Sequence, residues 1–124
     1  MRLTRHFAPK MASKGEGWII NMGDVQGLHT GPRDPAYAAT KHGLRGWSLS
    51  CYEQLREHNV RVVLVEPGNV KGTAMQAETA MGEAGQGQIA AEDVAQAALF
   101  CFRVSDNCVP EEIVLKAVRP HPKA

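Results

Sequence analysis

Apolar residues recur along the chain in patterns that predict three helices and three strands in strict alternation. Apolar positions at helical spacing predict helices over residues 2–13, 35–58 and 91–103. Short runs rich in strand-forming residues predict strands over residues 18–22, 60–66 and 113–118. Strands that alternate with helices are typical of parallel βαβ units. The pattern therefore predicts an α/β fold with about three parallel strands.

The segments between these elements are rich in glycine, proline and small polar residues. Residues 23–35 are predicted to be a loop, and Pro35 suits the first turn of the helix that follows. Residues 68–90 contain several glycines, so we expect a flexible loop region there. Residues 119–124 are expected to be an exposed C-terminal tail. The length is that of one domain, which we assign to residues 1–124.

Composition and charge exclude several classes of function. Hydrophobic residues make up 44% of the chain and charged residues 22%, which is the usage of an ordinary globular domain. The formal net charge is +1 without a basic stripe, so neither nucleic acid nor an anionic membrane is expected as a partner. Apolar runs such as Val62–Val65 are far shorter than the roughly 20 residues that span a bilayer. We therefore expect a cytoplasmic protein.

The cysteines and histidines do not form a recognisable metal-binding pattern. Cys51, Cys101 and Cys108 make no CxxC pair, and the five histidines show no HExxH spacing. Cys51 and Cys101 fall within helical apolar patterns, so we expect them to be buried as small apolar side chains. No metal site is predicted.

Tyr37 and Lys41 stand one helical turn apart at the start of the second predicted helix, so their side chains project from the same face. A lysine cation within a few ångströms favours the phenolate and lowers the pKa of a tyrosine from about 10. Tyr37 would then act as a general acid and base near neutral pH. The same spacing also occurs as an incidental pair on a solvated helix face, and the two residues alone leave both interpretations open.

The residues on both sides of this pair extend the pattern. The strand upstream leads into Asn21–Asp24, and the strand downstream ends in Pro67–Val70 with Thr73 nearby. In this order and spacing, the chain resembles the short-chain dehydrogenase/reductase superfamily of the YxxxK type over roughly residues 3–118. The resemblance implies a partial Rossmann-like, doubly wound parallel sheet. This chain would supply the C-terminal half of that fold and lack the N-terminal cofactor-binding half.

The resemblance also implies an enzyme that transfers a hydride between NAD or NADP and a small alcohol or carbonyl substrate. In the implied mechanism, Tyr37 is the general acid and base at the substrate oxygen. Lys41 lowers the pKa of Tyr37 and holds the ribose of the nicotinamide. The remaining implied cofactor-binding positions, the last of them one place later than in the usual spacing, are Pro67, Gly68, Val70 and Thr73.

Asp24 departs from the family pattern because it lies where the family has its catalytic serine, thirteen residues before Tyr37. A serine hydroxyl donates a hydrogen bond to the substrate oxygen, whereas an ionised carboxylate only accepts. A carboxylate also disfavours the phenolate of the tyrosine and repels a developing oxyanion. Two alternatives stay open: a protonated Asp24 that donates, or a substitute hydroxyl from Thr30. The catalytic role of Asp24 is therefore undecided at this stage.

Two functions are compatible with these residues. The first is an NAD(P)-dependent oxidoreductase. The second, which Asp24 favours, is a catalytically inactive truncated relative that acts as a dimerisation or interaction module. The predicted helices over residues 2–13 and 35–58 are those that the family packs at a dimer interface. We therefore expect a homo-oligomer, or pairing with a full-length relative, through these two helices.

Overall fold

The computed structural model describes residues 1–29, 34–72 and 87–119. The described residues form three α-helices and three strands in the predicted alternation. In chain order these are α1 (Arg2–Lys14), β1 (Gly17–Met22), α2 (Pro35–Leu55), β2 (Val60–Pro67), α3 (Ala91–Phe100) and β3 (Glu112–Leu115). Two short 3-10 turns, Val25–Gly27 and Arg56–His58, follow β1 and α2.

The three strands form one parallel sheet in the order β1-β2-β3. The register pairs Ile19 with Val62 and Val65 with Ile113. The central strand β2 is buried along nearly its whole length, as its unbroken apolar run predicts. The predicted α/β class with a partial Rossmann-like sheet is confirmed.

The two faces of the sheet carry different layers, because successive side chains of a strand point to opposite sides. Val63 and Val65 pack with the buried Cys101 on the α3 side. On the other side α2 packs against β2, and the Asn21 side-chain amide of β1 donates a hydrogen bond to Ser48 Oγ of α2 at 3.0 Å. The sheet is therefore fixed to α2 by a polar contact as well as by apolar packing.

Three of the predicted elements end earlier than their apolar patterns. The helix predicted over 35–58 is α-helical to Leu55 and continues as a 3-10 helix over Arg56–His58. The helix predicted over 91–103 stops at Phe100, because the amides of the next three residues bond to carbonyls three positions back rather than four. The strand predicted over 113–118 ends at Leu115, which pairs with Pro67, the last residue of β2. Beyond that point β2 offers no further ladder partner.

The connecting segments are described only in part. Residues 30–33 and 73–86 lie outside the described residues, so the predicted flexible region over 68–90 is seen only at its ends. Those ends meet, because Val70 and Ile89 form an isolated parallel bridge. Of the predicted C-terminal tail only Arg119 is described, and it is exposed. None of the described helices combines the length and the apolar character needed to cross a lipid bilayer.

Candidate active site

The candidate site lies where β1 and β2 end. Gly23 and Asp24 directly follow β1, and Gly68 directly follows β2. In open α/β sheets ligands bind in the crevice outside the carboxyl ends of the parallel strands. Helix α2 brings its first turns, with Tyr37 and Lys41, to the same edge.

The first turn of α2 holds Tyr37 in place. Asp34 caps the helix, since its Oδ1 accepts a hydrogen bond from the Tyr37 backbone amide at 2.9 Å. Pro35 occupies the start of the helix, as predicted. The Tyr37 hydroxyl then donates a hydrogen bond to Asp24 Oδ2 at 2.9 Å. The tyrosine and the residue in the serine position are therefore in direct contact.

Asp24 uses both of its carboxylate oxygens as acceptors. While Oδ2 accepts from Tyr37, Oδ1 accepts from the Gln26 backbone amide at 2.8 Å and caps the short turn Val25–Gly27. In both contacts the side chain of Asp24 accepts, so it donates no hydrogen bond to Tyr37 or to Gln26. Asp24 is thus held in a fixed orientation, with one oxygen aimed at the tyrosine. The substitute hydroxyl considered for this position, Thr30, lies outside the described residues.

Lys41 reaches the end of β1 from the same helix face as Tyr37. Its Nζ donates a hydrogen bond to the Gly23 carbonyl oxygen at 3.2 Å and lies 5.4 Å from the centroid of the Tyr37 ring. Both side chains are half-buried. An ammonium group has three donors, so two remain on Lys41 beyond the contact with Gly23.

The pKa of Tyr37 is raised from 10.0 to about 12. Burial of the phenol is the largest cause, followed by the hydrogen bond to Asp24, the negative charge of Asp24 and that of Asp34. The expectation that Lys41 lowers this pKa is therefore wrong, because a carboxylate contacts the phenol oxygen while the ammonium bonds to the Gly23 carbonyl. The opposing influence predicted for Asp24 is the one that the structure shows.

The predicted cofactor-binding residues of the β2 end are placed by backbone contacts. The Gly68 amide donates to the Leu115 carbonyl at 2.8 Å, and a Cβ at Gly68 would lie 3.3 Å from that oxygen. Pro67 and Val70 are half-buried on either side of it. Pro67 and Val70 present partly buried apolar surface, and Lys41 has two ammonium donors beyond its contact with Gly23 among the described residues, so a flat ring and a ribose would find suitable neighbours here. Thr73 lies outside the described residues.

Two features beside this site, both involving carboxyl groups, were not predicted from the sequence. Glu66, next to the end of β2, is fully buried. Arg45 of α2 binds both carboxylate oxygens of Glu112 on β3, with Nη2 at 3.0 Å from Oε2. An acidic residue inside an apolar strand is a signal that could have identified Glu66. The ion pair of Arg45 with Glu112 joins residues 67 positions apart, so no local sequence pattern indicates it.

Comparison with known proteins identifies relatives of this chain. The profile of the family described as short chain dehydrogenase matches residues 1–84. The "Uncharacterized oxidoreductase YbbO" of Escherichia coli (strain K12) is 39% identical over 70 residues, which are 56% of this chain and 26% of that protein. The 3-oxoacyl-[acyl-carrier-protein] reductase FabG of Thermotoga maritima is 28% identical over 119 residues, covering 90% of this chain and 48% of that protein.

Solved structures agree with these relatives. The closed form of serine dehydrogenase complexed with NADP+ superposes with a TM-score of 0.79 and 27% identity, covering 93% of this chain and 50% of that chain. A metagenomic short-chain oxidoreductase in complex with NADP gives a TM-score of 0.70 and 31% identity, covering 98% of this chain and 46% of that chain. The chain thus spans about half the length of these two structures. The match to residues 1–84, together with these structures, shows that the chain belongs to the short chain dehydrogenase family.

Proposed function

We propose that this chain carries the substrate and nicotinamide side of the active site of an NAD(P)-dependent oxidoreductase, which transfers a hydride between the cofactor and an alcohol or carbonyl group. The observation that carries the proposal is the convergence of Tyr37, Lys41 and Asp24 at the carboxyl ends of β1 and β2. Because the chain spans about half of its structural neighbours, the rest of the cofactor site would come from an N-terminal half of the domain.

When bound, the nicotinamide supplies or accepts the hydride. Tyr37 gives its proton to the substrate oxygen in the direction of carbonyl reduction. Since the pKa of Tyr37 is raised to about 12, the hydroxyl keeps its proton at neutral pH, and this favours reduction over alcohol oxidation. Lys41 would hold the ribose hydroxyls with its two remaining donors. The nicotinamide pocket would be lined by Pro67, Gly68, Val70 and Thr73.

Asp24 competes with the substrate in this mechanism. The Tyr37 hydroxyl has one proton with which to donate, and in the structure it donates its hydrogen bond to Asp24. A carbonyl oxygen must therefore displace the carboxylate before it can be protonated. Asp24 lowers the rate of reduction but leaves the geometry of the site intact.

Replacing Lys41 with methionine is expected to weaken cofactor binding about tenfold or more. A hydrogen bond from a charged donor contributes about 1.5–3 kcal/mol, and tenfold in affinity corresponds to about 1.4 kcal/mol. The measurement is a titration of the chain with NADH and NADPH that follows the fluorescence of the reduced nicotinamide. For the parent chain we expect saturable binding with a Kd of about 1 mM or lower.

Lys14→Met is the matched control, because Lys14 lies at the end of α1 and is 72% exposed. It should leave the affinity for both nucleotides unchanged. Circular dichroism and urea unfolding show whether Lys41→Met, which also loses the contact with Gly23, is still folded. A folded parent chain without saturable binding, or equal binding by parent and Lys41→Met, would contradict the proposed cofactor site.

A second candidate function is an interaction module, and the surface of α1 favours it. Leu3 is 75% exposed and Phe7 is 46% exposed on one stripe of this helix. Between α1 and α2 lies a cavity of about 560 Å³, whose lining includes Trp47, Cys51 and Leu55. Exposed apolar surface of this kind is typical of protein interfaces. In this second reading α1 and α2 pair with another copy or with a full-length relative.

The double variant Leu3→Glu, Phe7→Glu is expected to convert an oligomeric chain into a monomer, because an unpaired charge is costly to bury at an interface. Size-exclusion chromatography with light scattering measures the mass of each variant. Phe100→Glu is the matched control, since Phe100 is 51% exposed but lies on α3, on the other face of the sheet. A parent chain that is monomeric at all concentrations would contradict the interaction module.

A further inference from the structure

Glu66 is a fully buried carboxyl group beside the ion pair of Arg45 and Glu112. It lies in β2 on the side of the sheet that faces α2, and its exposed fraction is 0%. Neither oxygen accepts a hydrogen bond from a donor within residues 1–29, 34–72 and 87–119. An ionised carboxylate in such a place loses its hydration without compensation, whereas a protonated carboxyl loses far less.

The loop that carries Asp24 lies directly on this side chain. A Cβ at Gly23 would stand 3.0 Å from Glu66 Cγ, and a Cβ at Gly27 would stand 2.9 Å from Glu66 Oε1. The same Cβ at Gly27 would stand 3.1 Å from the Lys41 carbonyl oxygen. Both glycines are buried. Glu66 therefore fills the space between the end of β2, the loop and the backbone of α2.

Three charged groups face Glu66, one from each element packed around it. They are Asp24 from the loop, Arg45 from α2 and Glu112 from β3. Burial raises the pKa of Glu66 most strongly, and the negative charges of Glu112 and Asp24 raise it further, while Arg45 opposes them. A hydrogen bond from the protonated Glu66 to the Glu112 carboxylate also raises this pKa. Arg45 is committed to Glu112 through two hydrogen bonds. The surroundings as a whole favour the uncharged acid.

We propose that Glu66 is a positioning residue: as an uncharged acid it seats the loop Gly23–Gly27 so that Asp24 meets Tyr37, and its ionisation moves Asp24 away from Tyr37. An ionised Glu66 repels the carboxylate of Asp24 and favours hydration of its own oxygens, and displacement of the loop packed on it allows both changes. The contact between Asp24 and Tyr37 is thereby made sensitive to pH. Under the proposed function, on which this consequence rests, release of the Tyr37 hydroxyl speeds carbonyl reduction as pH rises.

The contact is tested by carbon-13 NMR of the full chain, labelled at the glutamate Cδ and tyrosine Cζ atoms, from about pH 4 to about pH 9. The Glu66 signal should titrate above the ordinary glutamate value of 4.5. The Tyr37 signal should move with the same midpoint, while that of Tyr52, which lies beside Arg56 at the far end of α2, stays constant. Glu66→Gln should abolish the movement, and the exposed Glu57→Gln should preserve it.

Urea unfolding gives a second, independent readout with a definite sign. Because the pKa of Glu66 is raised in the folded chain, the folded state keeps its proton at pH values where the unfolded state has lost it. Its contribution to stability is complete below pH 4.5 and is lost as pH rises toward the folded pKa, about tenfold in the unfolding constant per pH unit. The variant Glu66→Gln lacks this loss, so its advantage over the parent should widen with pH.

The proposal is overturned if Glu66→Gln is less stable than the parent by a margin that grows with pH, because Glu66 would then be an ion paired with Arg45. It is also overturned if the Tyr37 signal does not follow the Glu66 titration. Neither measurement uses cofactor or substrate. The nucleotide titration of the parent chain and Lys41→Met tests the proposed oxidoreductase function separately. A negative result there is therefore distinguishable from a negative result for the positioning role of Glu66.

Discussion

Replacing Asp24 with asparagine is expected to lower the pKa of Tyr37 from about 12 toward 10.0. Asparagine keeps the shape of the side chain but carries no charge, and it has one acceptor oxygen in place of the two that Gln26 and Tyr37 contact. Burial of the phenol, the largest cause of the raised value, is unchanged, so we expect a fall of about one pH unit rather than a full return. The ultraviolet absorbance of tyrosinate measures the titration. A Tyr52→Phe background leaves Tyr37 as the sole tyrosine of the chain.

Asp34→Asn is the matched control for this variant. Asp34 also raises the pKa of Tyr37, but only through its charge and less strongly than Asp24. Asparagine caps a helix as well as aspartate does, so the start of α2 is preserved. The shift should be clearly smaller than that of Asp24→Asn. Equal shifts in the two variants, or a pKa still near 12 in Asp24→Asn, would show that the hydrogen bond to Asp24 does not control the tyrosine.

Stability at high pH follows from the same raised pKa. The folded chain retains the Tyr37 proton at pH values where the unfolded chain, with a pKa of 10.0, has released it. The contribution of Tyr37 to stability is therefore complete below pH 10.0 and is lost as pH rises toward about 12. In Asp24→Asn the folded pKa of Tyr37 is expected to be lower, so the pH range over which this stability is lost becomes narrower. Unfolding curves of the parent and the variant at alkaline pH measure the difference.

Gly27→Ala is expected to destabilise the chain by about 1–3 kcal/mol. The added methyl group would lie 2.9 Å from Glu66 Oε1 and 3.1 Å from the Lys41 carbonyl oxygen. The first of these atoms belongs to a fully buried side chain and the second to the helix backbone, so neither can easily withdraw. Urea unfolding of the parent and the variant measures the difference in the free energy of unfolding.

Gly43→Ala makes the same chemical change with the opposite expected sign. Gly43 lies inside α2, and a Cβ there would meet nothing within 4 Å. Alanine is favoured over glycine in a helix by about 1 kcal/mol, so this variant should be more stable than the parent. If Gly27→Ala is as stable as Gly43→Ala, the loop is not packed against Glu66 as described.

The sequence predicts the fold correctly where the apolar pattern of an element matches its burial in the structure. The apolar centre of β2 predicts a strand buried on both faces, and the structure confirms it because β2 is the middle strand. The pattern overestimated α3, since Cys101 and Phe102 continue the apolar stripe while the backbone has already changed to tighter turns. It overestimated β3 because the length of its partner strand, not its own residues, decides where pairing stops.

The sequence predicts which residues form the site, but it does not predict which charged group contacts which polar atom. Spacing predicts that Tyr37 and Lys41 share a helix face, and the family resemblance adds Asp24 to their site. Hydrogen bonds bring Tyr37 to Asp24 and Lys41 to the neighbouring Gly23. Spacing alone does not predict which oxygen accepts the hydrogen bond of the Lys41 ammonium group. In the structure the acceptor is the Gly23 carbonyl oxygen rather than the phenol oxygen of Tyr37. The apolar run over β2 predicts only a buried strand, so it does not indicate a role for Glu66. A single carboxyl group in such a strand is nevertheless unusual.

The bridge between Val70 and Ile89 joins the two ends of the segment that separates β2 from α3. Its backbone bonds, from Lys71 to Ile89 and from Ile89 to Asn69, fix the distance that this segment has to span. These bonds use backbone atoms alone, so they do not depend on the side chains of Asn69, Lys71 and Ile89. Substitutions at these three positions can therefore change the chemistry beside the end of β2 while the bridge itself is kept.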